Sequence, residues 1–353
     1  KMAIEISETP TDKILEFEPT PGFKGFQEFF VAESTKHPAK ALLTMIKWII
    51  ETYTKEGDTI LDPMAGTFST CIMASLLGRN SIGIEYEQRF VDMGKANVEQ
   101  LNKTGKAEGQ IIVMKGDARK LGELFVDSIV TSPPFGSDNA NLQARTDKSA
   151  KSVLATTGQR AVPLSKENLG NLPYGKVDSI VTSPPYSETV SKAGGRQSGH
   201  PSKKDVELGA DKREMPYSED PNNIGNLKQP NYLQAMLQVY GECFRILKPE
   251  GKLILITKNF IRKKKVVRLD LDTIRLCERV GFRLEDRWYR KLTNFSFWVL
   301  LYRRKHPEVE QVNYEDILVL RKPSGEGLVN VVITSPPYAD QNDRKNRKMD
   351  DTR

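Results

Sequence analysis

The sequence has little of what marks a metalloprotein or a cross-linked secreted domain. Its 353 residues hold three cysteines and three histidines. Cys71, Cys243 and Cys277 stand far apart with no Cys-x-x-Cys pair, and the histidines cluster with nothing. Neither a structural metal nor a disulfide framework is expected, and the cysteines read as small buried hydrophobes. No apolar run is long enough to span a bilayer, and the opening "KMAIEISETP" lacks the apolar core of a signal peptide. The expected setting is cytoplasmic, with no membrane partner. Nothing in the sequence speaks to oligomeric state.

What is present is size, positive charge and repetition. The length allows one large α/β domain or two smaller ones. A net charge of +7 admits a polyanionic partner without demanding one. The distribution says more. "KNFIRKKKVVR" (258–268) holds six basic residues, Lys258, Arg262, Lys263, Lys264, Lys265 and Arg268, and no acidic one. "RWYRK", with Arg290 and Lys291, and "YRRKH" interleave aromatics with cations. A lysine-protected strand edge would explain such runs. Three of them within fifty residues favour contact with nucleic acid.

Along the chain, residues 1–35 read as an irregular, aromatic-rich lead-in that packs on the core. A helix is expected over 38–54, with Pro38 at its start and Leu42, Met45, Ile46, Ile49 and Ile50 as an apolar stripe. "DTILDPMAGTFSTCIMASLLGRNSIGIEYE" reads as strand, turn, helix and a strand ending at Glu85. Another helix follows, then "GQIIVMKGDARKL", a third strand ending at Asp117. Residues 136–230 show little periodicity, as functional or disordered loops do. Regularity returns with the helix "NYLQAMLQVYGECFRIL", the turn "KPEG", the strand "KLILITKNF" and the helix "LDTIRLCERVG". Three strands, "FRLEDRWYRKL", "SFWVLLYRRK" and "DILVLRK", would finish the domain near Arg321. Residues 322–353 read as a charged, flexible tail.

A repeat runs through this plan. "VDSIVTSPPFGSDN" begins at Val126, "VDSIVTSPPYSETV" at Val177 and "VNVVITSPPYADQN" at Val329. The first two are each followed by a matching box, "ENLGNLP" at 167–173 and "NNIGNLK" at 222–228. The repeated unit is thus strand, Pro-Pro turn, polar loop and Gly-Asn-Leu box.

Four segments sit at expected strand ends: "DPMAGTFST", "GIEYE", "GDARKL" and "TSPP[YF]". Ligands of open α/β sheets bind there. Each alone could be packing or a strand terminator. Together and in this order they resemble the class I S-adenosylmethionine-dependent methyltransferases, and more narrowly the nucleic-acid amino-methyltransferases that modify cytosine N4 or adenine N6. The resemblance covers residues 36–321 and rests most on Asp62-Pro63-Met64-Ala65-Gly66 and the Ser-Pro-Pro-Tyr turn. The cofactor motif precedes the Pro-Pro motif, which excludes the family's permuted order. The implied fold is a Rossmann-like doubly wound α/β sheet, mostly parallel, with an antiparallel final hairpin. The duplicated insertion 136–230 would recognise the target.

The resemblance implies S-adenosylmethionine as cofactor, held by Pro38, Asp62, Pro63, Met64, Ala65, Gly66, Thr67, Glu85, Tyr86, Asp117 and Ala118. Gly66 would let backbone approach the methionine moiety, and the following helix N-terminus favours its carboxylate. Glu85 would accept the ribose hydroxyls. Asp117 would accept from the adenine amino group. Phe68 departs from the family's second glycine; it costs nothing if its φ is negative, but it would narrow the approach to the cofactor.

The Pro-Pro turn is the expected catalytic end. An exocyclic amine is a poor nucleophile, and acceptors that draw its N–H groups toward tetrahedral geometry help without a strong base. Ser183 offers a hydroxyl and Pro184 a carbonyl, in a segment that Pro184 and Pro185 stiffen. Tyr186 offers a face for a base swung out of its stack. Ser132, Pro133, Pro134 and Phe135 form the runner-up copy, since only one copy can lie beside the first strand. No Pro-Cys dipeptide occurs, which argues against carbon-5 methylation through a cysteine. No Asn-Pro-Pro or Asp-Pro-Pro occurs either, which within the family points toward cytosine. The expected function is cytosine N4 methylation of DNA. Methylation of ribosomal RNA, adenine N6 methylation of DNA, and a nucleic-acid-binding protein with a degenerate fold remain alternatives.

Overall fold

The strand–helix alternation that breaks off near Asp117 resumes at Val177 in the computed structural model. The model describes residues 12–37, 41–124, 177–185, 218, 220–228, 230–293 and 297–324. The first and third Pro-Pro copies, the first box, Pro38 and Tyr186 lie outside the described residues. The chain divides into two units, Lys1–Pro323 and Ser324–Arg353.

Helix α1 (Leu43–Tyr53) buries Leu43, Met45, Ile46, Ile49 and Ile50, the i, i+3, i+4, i+7 face that drives it onto the sheet. It starts later than expected, because Leu42 is still extended. Then come β2 (Thr59–Asp62), α2 (Ser69–Leu76), β3 (Asn80–Glu85), α3 (Gln88–Thr104) and β4 (Ile111–Lys115). The strand expected to reach Asp117 stops two residues short, where Asp117 caps a 3-10 turn. The second Pro-Pro copy supplies β5 (Val177–Thr182). It is followed by α4 (Asn231–Ile246), β6 (Leu247–Thr257), the small hairpin β7 (Phe260–Arg262) and β8 (Lys265–Val267), and α5 (Leu269–Val280). β9 (Arg283–Lys291), α6 (Phe297–Lys305) and β10 (Tyr314–Arg321) complete the unit. The expected "KPEG" turn is a kink inside β6, with Glu250 at φ 65°.

The lead-in is less irregular than its sequence suggests, since Ile14–Leu15 form β1, parallel to β9 at the sheet edge. The eight strands run in the order β1-β9-β10-β6-β5-β2-β3-β4. β5 pairs in parallel with both β2 and β6, so the order reverses between β2 and β5. β10 is antiparallel to both of its neighbours.

One expectation fails outright. "SFWVLLYRRK" is helix α6, not a strand. Its apolar residues are consecutive rather than alternating, so no period of two holds them in a sheet. β10 already fills the ladder beside β9 from Tyr314 to Arg321. Arg303, Arg304 and Lys305 in the last turn suit a helix C-terminus.

The two faces carry separate cores. Ile82, Ile84, Ile180, Leu253, Leu255, Leu318 and Leu320 meet α4 and α5. Ile60, Val181, Ile254, Ile256, Ile317 and Val319 meet α1, α2 and the lead-in phenylalanines Phe23, Phe29 and Phe30. Alternation along β5, with Ile180 on one face and Val181 on the other, is the pleat of a strand buried on both sides.

Candidate active site

A cavity of about 680 Å³ lies beyond the carboxyl ends of β2 to β6. Its lining includes Asp62, Pro63, Met64, Ala65, Gly66, Thr67, Glu85, Tyr86, Asp117 and Ala118, together with Ser183, Pro184 and Pro185. Of the residues expected to hold cofactor, only Pro38 falls outside the described residues.

The turn after β2 is fixed from several sides. Asp62 is buried and accepts from the N–H of Met64 at 3.2 Å and from Thr70. Desolvation raises its pKa to about 6 despite those bonds. Gly66 turns at φ +52°, and a Cβ there would meet the His37 imidazole at 3.2 Å. Buried Asn97 ties the turn to the lead-in: its Nδ2 donates to the Thr67 carbonyl at 3.0 Å, and its Oδ1 accepts from Val31 N–H and Ser34 Oγ, each at 2.9 Å.

Phe68 behaves opposite to expectation. Its φ is +60°, a left-handed conformation, and its ring is fully buried against Gly83 and Gly94 and does not line the cavity. The two glycines make room for the ring, so the cavity is not narrowed by it.

Glu85 ends β3 with its carboxylate accepting from Gly66 N–H at 2.9 Å and Glu87 N–H at 2.8 Å. Burial pushes its pKa to about 7, against those hydrogen bonds. Asp117 is held by the guanidinium of Arg119, with contacts at 2.9, 3.0 and 2.5 Å, which fixes the carboxylate at the cavity wall. The second Gly-Asn-Leu box packs beside them. Asn223 Nδ2 donates to Glu87 at 2.8 Å, the Asn222 carbonyl accepts from Arg119 at 3.0 Å, and Tyr86 bonds Asp220 at 2.8 Å. That last bond raises the Tyr86 pKa and lowers that of Asp220.

At the Pro-Pro turn Ser183 is exposed, Pro184 buried and Pro185 half-buried. The Tyr232 hydroxyl, from buried α4, donates to the Pro185 carbonyl at 2.8 Å. The cavity continues past this turn to Ile256, Lys258, Arg290 and Glu315.

Several lining residues gave no signal in the sequence, Pro19–Phe23, His37 and Glu315, while Asn222–Ile224 come from the second repeat box. Of the basic run, Lys258 and Arg290 face the cavity. Lys264 and Lys265 pair with Glu308 and Glu310, Arg268 with Asp270, and Lys291 with Glu16. Arg262 lies over the Phe260 ring, and Lys263 is exposed at the hairpin tip. The basic run at 258–268 is thus a hairpin with much of its charge internally matched. Among the described residues no cluster of His, Cys, Asp and Glu could hold a metal, and no helix is long and apolar enough to cross a membrane.

Residues 2–96, from the lead-in through most of α3, match the N6/N4 DNA methylase family. That match spans a little over a quarter of this chain. A type II methyltransferase of Streptococcus pneumoniae is 39% identical over 69 residues, 20% of this chain and 26% of that protein. A tRNA (guanine(10)-N2)-dimethyltransferase of Methanocaldococcus jannaschii is 37% identical over 93 residues, 24% of this chain and 26% of that protein. The chain therefore spans about a quarter of the length of these curated relatives. Among solved structures, a putative DNA modification methylase from Thermus thermophilus is 23% identical, covering 29% of this chain and 40% of that one at a TM-score of 0.22.

The family's cofactor is S-adenosylmethionine, and the cavity's donor set suits it. Its ribose hydroxyls and amines need acceptors, and buried Asp62, half-buried Glu85 and the fixed Asp117 are acceptors on one wall. The raised pKa values of Glu85 and Asp62 mark carboxylates held out of water without a cation on them, as a ligand rich in donors requires.

Proposed function

We propose that this chain transfers a methyl group from S-adenosylmethionine to an exocyclic amino group of a nucleic-acid base, with cytosine N4 in DNA as the leading target. The observation that carries this reading is that Ser183-Pro184-Pro185 shares one cavity with Glu85 and Asp117. An amino-group activator and a cofactor wall within one space are what methyl transfer to an amine needs.

When bound, S-adenosylmethionine supplies an electrophilic methyl on its sulfonium. Glu85 would accept from its ribose hydroxyls and Asp117 from its adenine amine, and Asp62 would be among the residues that hold it. Ser183 Oγ and the Pro184 carbonyl accept from the target NH₂, concentrating its lone pair without removing a proton first. Tyr186 stacks on the base. Residues 36–321 would be the methyltransferase domain, and the insertion 136–230 would read the target sequence.

A second reading keeps the chemistry and changes the polymer. The tRNA guanine-N2 methyltransferase among the relatives favours RNA as its substrate class.

Tritiated cofactor offered to genomic DNA and to total RNA separates the two. Ser183→Ala is expected to lower turnover about 100-fold, the scale of losing one oriented hydrogen-bonding group, while Ser132→Ala leaves it intact. Full activity in Ser183→Ala would refute the assignment of this copy, and absence of cofactor binding by calorimetry would refute the enzyme itself.

A further inference from the structure

The cavity does not end at the Pro-Pro turn, and what lies beyond it is polar and ordered by the sheet. Thr182 pairs with Leu255, so Ser183 comes level with Ile256 on the neighbouring strand. Lys258 is two residues further along the same face. β10 pairs Asp316 with Thr257, so one more step of that register sets Glu315 beside Lys258. β9 then pairs Arg290 with Glu315. Ile256, Ile317 and Trp288 all pack on the α1 side, which fixes the face of this row. Four side chains on neighbouring strands, Ser183, Lys258, Glu315 and Arg290, thus form a row along the cavity.

Within the row the charges are unequally engaged. Arg290 Nε donates to Glu315 at 2.7 Å, and both side chains are mostly buried. Lys258 is half-buried and donates no hydrogen bond among the described residues. Burial holds its pKa below the usual lysine range, with Glu315 opposing that shift and Arg290 and Arg303 adding to it. A half-buried ammonium with unused donors next to a group that accepts from an amine has a specific use. Neighbouring strands are about 4.8 Å apart, and the long lysine side chain can span the two-residue offset between Ser183 and Lys258, so both can reach one base edge.

We propose that Lys258 reads the target base, its ammonium donating to the ring nitrogen next to the reacting amino group, with the Arg290–Glu315 pair holding the ammonium in place. That nitrogen is N3 in cytosine and N1 in adenine, an acceptor in both. In thymine and uracil N3 carries a hydrogen, which the ammonium would meet donor to donor. Ser183 accepts and Lys258 donates, so the pair matches the amino–ring nitrogen edge and rejects its inverse. This assignment rests on the methyltransferase reading of the same cavity and names its base-selecting element.

The test uses the full chain and an oligonucleotide carrying the methylated site, in which the target base is either natural or its deaza analogue lacking that nitrogen. Wild type is expected to lose about 10–100-fold in kcat/KM on the analogue, the scale of one good base contact. Lys258→Met is expected to lose a similar factor on the natural base and then to treat both bases alike, with cofactor affinity by calorimetry unchanged. Equal discrimination by wild type and Lys258→Met would overturn the role of Lys258 while leaving methyl transfer standing. A wild-type chain that methylates no nucleic acid would overturn both.

Discussion

The Glu85 carboxylate, at the end of one strand, accepts from the Gly66 N–H in the turn after another, at 2.9 Å. This bond braces the turn from inside the cavity, and the burial of the carboxylate, against that bond, makes the site sensitive to pH. Glu85 titrates near 7 rather than 4.5. Between those values the folded chain holds a proton that the unfolded chain has released, so stability falls as pH rises through the window, by roughly 3 kcal/mol from this group at most. Cofactor affinity should run the other way, rising through pH 7 as the acceptor ionises. Urea melts and calorimetric titrations from pH 5 to 8 would expose the two opposed slopes, and Glu85→Gln should flatten both.

Phe68 makes a second prediction. A Cβ on Gly94 would stand 2.2 Å from its ring, and one on Gly83 2.4 Å. Gly94→Ala should cost about 1–3 kcal/mol through overpacking. Combined with Phe68→Leu, the loss in a denaturant melt should be smaller than the sum of the single changes.

Tyr232 is a positioning residue for the Pro-Pro turn. Tyr232→Phe removes the hydroxyl bonded to Pro185 and leaves the ring packed. Turnover is expected to fall about tenfold, of the order of one hydrogen bond's worth of positioning. The cofactor Kd should not move. A change in both would mean that the tyrosine supports the whole cavity rather than the turn.

Arg287 concerns stability alone. Buried between Asp270 and Asp316, it donates to Asp316 through Nε at 3.0 Å and Nη2 at 2.7 Å. Arg287→Met leaves buried Asp316 without its cation and Asp270 with Arg268 alone, and should cost about 3–5 kcal/mol. Asp316 already titrates near 6 with the cation present, and removal raises it further. The penalty should therefore be larger at pH 8 than at pH 5, where protonation relieves it.

The hairpin tip separates charge that is available from charge that is committed. Lys265 donates to Glu310 at 2.7 Å, whereas Lys263 is exposed at the turn. Lys263→Gln should reduce the salt slope of nucleic-acid binding by about 1, and Lys265→Gln by less. Binding isotherms at several salt concentrations decide between them.

How far the sequence reached depended on whether a residue's place is set locally. Asp62 to Thr67, Glu85, Tyr86 and Asp117 each lie at a strand end or within five residues of one, so the strand pattern alone brings them to one end of the sheet. His37, Asn222, Asn223 and Tyr232 come to the site only through docking of segments distant in sequence, and no short-range pattern encodes that. Phe68 was misjudged because its fitting partners, Gly83 and Gly94, lie on other elements. The α6 segment was misjudged because hydrophobicity without a period does not distinguish strand from helix.

The two-residue strand Ile14–Leu15 is joined by a few residues to Pro19–Phe23, which line the cavity. One short stretch of chain thus does two jobs, covering the backbone groups of β9 that would otherwise be open and walling the cofactor space. Peeling it away would lay bare a sticky sheet margin and a hydrophobic hollow at once. Occupancy of the cavity would then guard the protein against self-association, so that solubility on storage and saturation with ligand would rise and fall together.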